Sequence, residues 1–213
     1  MESGDPLDDW LSSQSDKVHR KSKSLMSVIR EAYPIGVPAL IIKSQTDRLA
    51  EAGGYAFHLG TPDDVLRRIC SWLLTNGHDN VLEKLIGDLW ERHGREDVAI
   101  AALLLANVQS IDDEKAWNIL SHIMGDSEPA DALLLVIEEL FRAKRTGPTH
   151  EVLLTWYRRG EIHSHLALLV QHAAWIRGGR EKIGDEWSEL IQGVNCPDGD
   201  SLITRIRGQL LSE

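Results

Sequence analysis

The side chains able to do chemistry crowd the last third of this chain. Between Arg142 and Lys182 stand eight basic residues, Arg142, Lys144, Arg145, Arg158, Arg159, Arg177, Arg180 and Lys182, against Glu151, Glu161 and Glu181. That stretch carries +5, while the chain as a whole carries −10. Guanidinium and ammonium groups at such density bind phosphate oxygens. An aromatic ring beside a cation adds a stacking face, and Tyr157 next to Arg158 and Trp175 near Arg177 supply such rings. An acidic surface repels phosphates, so a nucleic-acid partner would have to be met by this basic island.

The same cations have a local explanation. Arg142, Lys144 and Arg145 precede Gly147, Arg158 and Arg159 precede Gly160, and Arg177 precedes Gly178. A cation in the last turn of a helix is stabilised by the macrodipole. The two readings are compatible, because in stacked helix pairs alternate helices end on one edge, where their cations align into a stripe that tracks phosphates.

His163, His165 and His172 share one predicted helix, and His165 and His172, seven residues apart, share a face. Metal binding needs a third ligand and a closed geometry that this spacing does not supply, so no metal is expected. The histidines read either as weaker, pH-dependent phosphate contacts or as a polar helix face. The sequence contains no phosphate-binding glycine loop, no nucleophile elbow, no H-E-x-x-H and no Cys–His pairing of known spacing. Hydrolases and kinases built on those motifs are excluded.

Helices must position these groups, since apolar residues recur at helical spacing and strand-formers do not cluster with a period of two. The central stretch is Leu89 to Val108, LWERHGREDVAIAALLLANV. One helix closes at His93-Gly94, and the run from Val98 to Val108 is apolar on almost every face, so it must be walled by other helices. Before it, helices are predicted over Ser15 to Tyr33, Ala39 to Ala52, Thr61 to Leu74 and Asp79 to Trp90, with Thr61 as N-cap and Pro62 at the first helical position. After it come Ile111 to Met124, Pro129 to Arg145, Pro148 to Arg159, Glu161 to Arg177, Arg180 to Gln192 and Asp200 to Leu211. Of Trp72, Trp90, Trp117, Trp156, Trp175 and Trp187, at least four are expected inside as core anchors. Short connections force antiparallel neighbours, and the layout expected is an all-α solenoid of HEAT-like helix pairs, with a compact bundle as the alternative.

Residues 1–14 read as a loose acidic leader with Trp10 and Leu11 docking on the body, and residues 15–213 as one helical-repeat domain. The leader lacks the basic-then-apolar order of a signal peptide, and no apolar run approaches the roughly 20 residues of a membrane span. Cys70 and Cys196 form no C-x-x-C pair, which suits reduced thiols in a cytoplasmic protein.

The order of segments resembles the DNA alkylation repair family, the HEAT-like alkylpurine DNA glycosylases, from about Tyr33 to Gln209. The pieces that carry the likeness are YPIGVPALIIKSQTDRLAE, LWERHGREDVAIAALLLA, DSEPADALLLVIEELF and LLTWYRRGEIHSHLALLVQHAAWIRGG. The resemblance implies a crescent of helical repeats holding duplex DNA, alkylated DNA included, and release of N3- or N7-alkylated purines without a metal or organic cofactor. A carboxylate stabilises the charge that develops on the sugar as the base leaves. Matched residue by residue, the family's catalytic Asp falls on Asp131. Its aromatic four residues earlier falls on Ser127, its Trp on His163 and its Arg on Leu166. The backbone contacts expected come instead from the basic island, Arg142, Lys144, Arg145, Arg158, Arg159, Arg177 and Arg180, with Tyr157, His163, His165 and Trp175 beside them. Only the carboxylate of the catalytic set is retained, so the expectation is a DNA-binding protein similar to these glycosylases. The alternative is a non-catalytic scaffold that grips a protein or a structured nucleic acid.

Overall fold

Acidic or capped starts, apolar stripes and glycine stops recur along the chain, and such units fold as helices among the described residues. The computed structural model describes residues 5–35, 37, 54–180 and 183–212. Among them are eleven α-helices: α1 (Pro6–Ser12), α2 (Ser22–Ala32), α3 (Asp63–Asn76), α4 (Asp79–Arg92), α5 (Arg95–Asn107), α6 (Asp113–Ile123), α7 (Ala130–Arg142), α8 (His150–Arg159), α9 (Glu161–Arg177), α10 (Asp185–Gln192) and α11 (Leu202–Leu211). A 3-10 helix, Asp16–Arg20, precedes α2. The protein is thus all-α with sequential packing of neighbouring helices. The helix expected over Ala39 to Ala52 lies outside the described residues. No described helix is long and apolar enough to cross a membrane. The chain divides into two compact units, Met1–Ala116 and Trp117–Glu213.

The first unit is built around α5, in which every residue from Glu96 to Ala106 is buried. It packs on α3 and α4, and α2 packs on α4. Val98, Ile100 and Leu104 are fully enclosed, and each such side chain contributes roughly 1.5–3 kcal/mol by leaving water. Helix α4 ends with His93 in the left-handed conformation, φ 56. Gly94 follows for a different reason: a Cβ there would meet the Phe57 ring at 2.0 Å. That close approach carries a parallel bridge between Phe57 and Gly94.

Two N-terminal expectations change. The helix expected from Ser15 to Tyr33 is broken at Lys21, which is extended, and the 3-10 helix capped by Ser15 sets His19 against the Trp72 ring, 4.7 Å between centroids. The acidic leader is not loose from Asp5 onward. Asp5 caps α1, Leu7 and Leu11 are buried, and Arg68 of α3 lies 2.8 Å from Asp5 and 2.7 Å from Asp8. Thr61, expected as an N-cap, instead donates its hydroxyl to the Tyr33 carbonyl at 3.0 Å, and Pro62 stands at the cap position.

The second unit is built around α9, buried from Ser164 to Val170. It packs on α7, α8 and α11, and α10 packs on α11. Gly160 turns α8 directly into α9 with φ 149 and ψ 177, a conformation open in practice only to glycine. The core holds a ring cluster of Phe141, Trp117 and Trp156, with centroids 5.9 and 6.2 Å from Trp117. Trp117 donates its indole N–H to the Thr146 carbonyl at 2.8 Å. Three tryptophans, Trp90, Trp117 and Trp156, are buried, while Trp72, Trp175 and Trp187 are half-buried, one fewer inside than the sequence suggested.

Candidate nucleic-acid interface

Helices α7 and α9 run side by side in the same direction, and this decides which cations meet. Arg177 at the end of α9 donates to Glu138 of α7 at 2.7 Å, and its guanidinium lies 4.9 Å from the centre of the Phe141 ring. Arg142, Lys144 and Arg145 at the end of α7 therefore stand at the same end of the unit as Trp175, Arg177 and Arg180. Arg180 stacks on Trp175 at 5.5 Å, and His172 lies on the same ring at 5.8 Å. Lys144 and Arg180 are exposed, and both adopt the left-handed conformation, φ 63, just beyond their helices. Lys144 follows the α7 cap directly, where glycine or asparagine is usual, while in α9 that place is taken by Gly179, φ 83, and Arg180 comes next. Arg142 pairs with Glu139 at 2.5 Å.

Arg158 and Arg159 lie elsewhere. Gly160 returns the chain along α8, so both stand at the N-terminal end of α9, about 25 Å along the axis from Arg177 by helical rise. They are exposed. Beside them His163 is half-buried, with its ring nitrogen 3.1 Å from the Ser121 carbonyl. Burial pushes the His163 imidazole below its ordinary value, and the nearby charges of Arg159 and His122 push the same way against that hydrogen bond. A neutral, engaged imidazole is a poor phosphate contact.

His165 is buried and hydrogen-bonded to the Asn195 carbonyl at 2.7 Å, and His172 meets Gln209 at 2.9 Å. The shared face read from their spacing is real, but it is covered by the C-terminal segment. Tyr157 is also turned inward: its hydroxyl bonds Gln171, and burial raises its pKa well above the ordinary phenol value.

Asp131 occupies the first turn of α7 and is exposed. Among the described residues it forms no hydrogen bond or ion pair. A cleft of about 200 Å³ opens beside it, lined by Ser127, Glu128, Ala130, Glu161, His165 and Leu202 among others, and Asp131 is not part of the lining. It stands at the opposite end of α7 from Arg142, about 16 Å away along the axis by helical rise. Leu166, where the resemblance places an arginine, is fully buried. The structure thus gathers Arg142, Lys144, Arg145, Trp175, Arg177 and Arg180, and separates them from Asp131, Arg158 and Arg159. Among the described residues no group of three His, Cys, Asp or Glu side chains is placed to hold a metal ion.

A second feature, in the first unit, was not singled out from the sequence. Glu96 and Asp97 are fully buried. One Glu96 oxygen accepts the amide N–H groups of Leu59 and Gly60 at 2.9 Å and of Thr61 at 3.3 Å. Asp97 accepts from the Tyr33 hydroxyl at 2.8 Å and from two nitrogens of Arg92. The only signal in the sequence was a pair of acids opening an apolar helix, which reads first as a dipole effect. Comparison of the chain with protein-family models, with curated proteins and with solved structures found no match.

Proposed function

We propose that the chain is a DNA-binding helical-repeat protein similar to the alkylpurine DNA glycosylases, its helix pairs stacked as a HEAT-like solenoid, and that it meets duplex DNA through backbone phosphates. The observation that carries this reading is the gathering of Lys144, Arg177 and Arg180, with the half-buried Trp175 ring, at one end of the parallel pair α7 and α9. Two exposed cations held in left-handed backbone add to it, since such residues cost of order 1 kcal/mol or more relative to glycine and sit where strain is commonly kept for function. Among the described residues neither Cys70 nor Cys196 forms a disulfide, which suits a cytoplasmic protein.

Base excision is the narrower claim. Asp131 would be its acid, and its exposure in the first turn of α7, outside the adjacent cleft, favours binding without excision. The test is twofold. Affinity for a fluorescent duplex should fall steeply with salt. Release of 7-methylguanine or 3-methyladenine from alkylated DNA, abolished in Asp131→Asn, would establish the enzyme; binding without release leaves a DNA-binding protein.

The scaffold reading has one observation in its favour. Arg142 and Arg177 are already paired with Glu139 and Glu138, which reduces the charge left for phosphates. If duplex binding is absent at about 50 mM salt, a protein partner replaces DNA as the ligand of this surface.

A further inference from the structure

The first unit contains a cleft of about 580 Å³, lined among the described residues by Arg30, Tyr33, Ala56, Phe57, Leu59 and Arg92. Its chemistry differs from that of the basic end of the second unit. Here two arginines, Arg30 and Arg92, share the lining with aromatic and apolar side chains.

Arg92 is held in one orientation. Its Nε donates to Asp97 at 2.5 Å and its Nη2 to the other oxygen of the same carboxylate. A guanidinium that binds a carboxylate through Nε and one Nη presents its remaining Nη on the opposite edge. The group lies 5.2 Å from the Phe57 ring centre and 6.0 Å from that of Tyr33. Tyr33 is fully buried and Asp97 is fully buried, so the support behind Arg92 is rigid, while the Arg92 side chain itself remains 23% exposed.

Arg30 stands one turn before Tyr33 on α2. It is exposed, and among the described residues it makes no ion pair. The charge of Arg92 is balanced by Asp97 from behind, so the uncompensated charge at the cleft is that of Arg30. Such a site suits one anionic group attached to a flat apolar body: the anion lies between the two guanidinium groups and the ring rests on Phe57 and Leu59. The volume is within the range of small-molecule sites.

We propose that this cleft binds a small planar organic anion, an aromatic ring bearing a single carboxylate or phosphate, with Arg92 and Arg30 on the charge and Phe57 against the ring. The site is independent of the DNA reading.

Isothermal titration with 1-naphthoate and 1-naphthyl phosphate tests it, and the tighter of the two identifies the anionic group. At least one should bind with a Kd of about 100 μM or tighter, and neutral 1-naphthol and inorganic phosphate should each bind at least roughly tenfold more weakly. Arg30→Ala, at an exposed position that leaves the fold intact by circular dichroism, should weaken binding roughly tenfold. Lys17→Ala, which removes the same charge elsewhere in the unit, should leave it unchanged. Phe57→Leu should weaken the aromatic anions and not inorganic phosphate, and Arg30→Ala decides alone if that variant does not fold. Failure of both anions to bind at millimolar concentration, equal binding of 1-naphthol, or equal losses in Arg30→Ala and Lys17→Ala would overturn the proposal.

Discussion

The Tyr33 hydroxyl donates to Asp97 at 2.8 Å across 64 residues of sequence, and both residues are fully enclosed. The bond ties the end of α2 to the first turn of α5. Arg92 completes the set, so this buried carboxylate has three donors. Buried charges persist only when so satisfied, and removing one partner costs more than the intact pair contributes.

Tyr33→Phe should therefore lower stability by about 1.5–3 kcal/mol, the range for a hydrogen bond to a charged group. Asp97→Ala should cost more, about 3–5 kcal/mol, because it leaves the half-buried Arg92 without its partner. Urea denaturation of the three proteins at neutral pH measures both. A smaller loss in Asp97→Ala than in Tyr33→Phe would contradict the network.

The same bond predicts sensitivity to alkali. Burial first, and then the Asp97 charge, raise the Tyr33 pKa well above its ordinary 10.0. The unfolded chain releases that proton near pH 10 and the folded protein holds it, so the contribution is complete below about pH 10 and is lost as pH rises toward the folded value. The fall in stability between pH 9 and 11, followed by urea titration, should be shallower in Tyr33→Phe. Tyr157, raised by burial, keeps its own share of the slope in both proteins.

The docking of α1 rests on Arg68 and two carboxylates. The Arg68 hydrogen bond holds the Asp5 pKa below the ordinary carboxylate value, so this contact is present above that value and is lost as pH falls through the depressed one. Arg68→Ala should speed hydrogen exchange in Pro6–Ser12 without changing exchange in α5. Unchanged exchange in α1 would show that Leu7 and Leu11 hold it alone.

Lys144 and Arg180 offer a test that separates function from folding. Changing both to glycine relieves two left-handed residues and should stabilise the fold by about 1 kcal/mol each. The same change should weaken duplex binding and reduce the slope of log affinity against log salt by about 0.9 per lost phosphate contact. Arg158→Ala with Arg159→Ala, at the other end of α9, should alter the slope less. Equal effects from the two pairs would mean that DNA spans both ends of the unit.

Gly160→Ala isolates a backbone effect. A Cβ at this position meets nothing within 4 Å, so its cost is conformational, about 1–3 kcal/mol for a φ of 149. Thermal unfolding should show the loss, and an unchanged midpoint would mean that α8 and α9 can be joined in another way.

Helix positions were legible because their causes are local. The start of α4 at Asp79, the His93-Gly94 stop and the full extent of α9 follow from caps, glycine and periodicity within a few residues. The burial of α5 followed from the absence of any polar face between Val98 and Ala106. The sequence reading did not include the α9 core from Ser164 to Val170, and the histidines of that helix, His165 and His172, are engaged by Asn195 and Gln209 from the C-terminal segment.

What the sequence determined by itself was an all-helical chain, acidic overall, with a net positive stretch between Arg142 and Lys182. Where those charges meet was a tertiary decision: Gly160 sends α8 back along α9, so Arg158 and Arg159 are carried to one end, while the parallel course of α7 and α9 brings Lys144, Arg177 and Arg180 to the other. The partners of Tyr33, Asp97 and Thr61 were likewise settled only by folding. A hydrogen bond between groups tens of residues apart depends on the summed geometry of every helix between them, and no short stretch of sequence carries that sum.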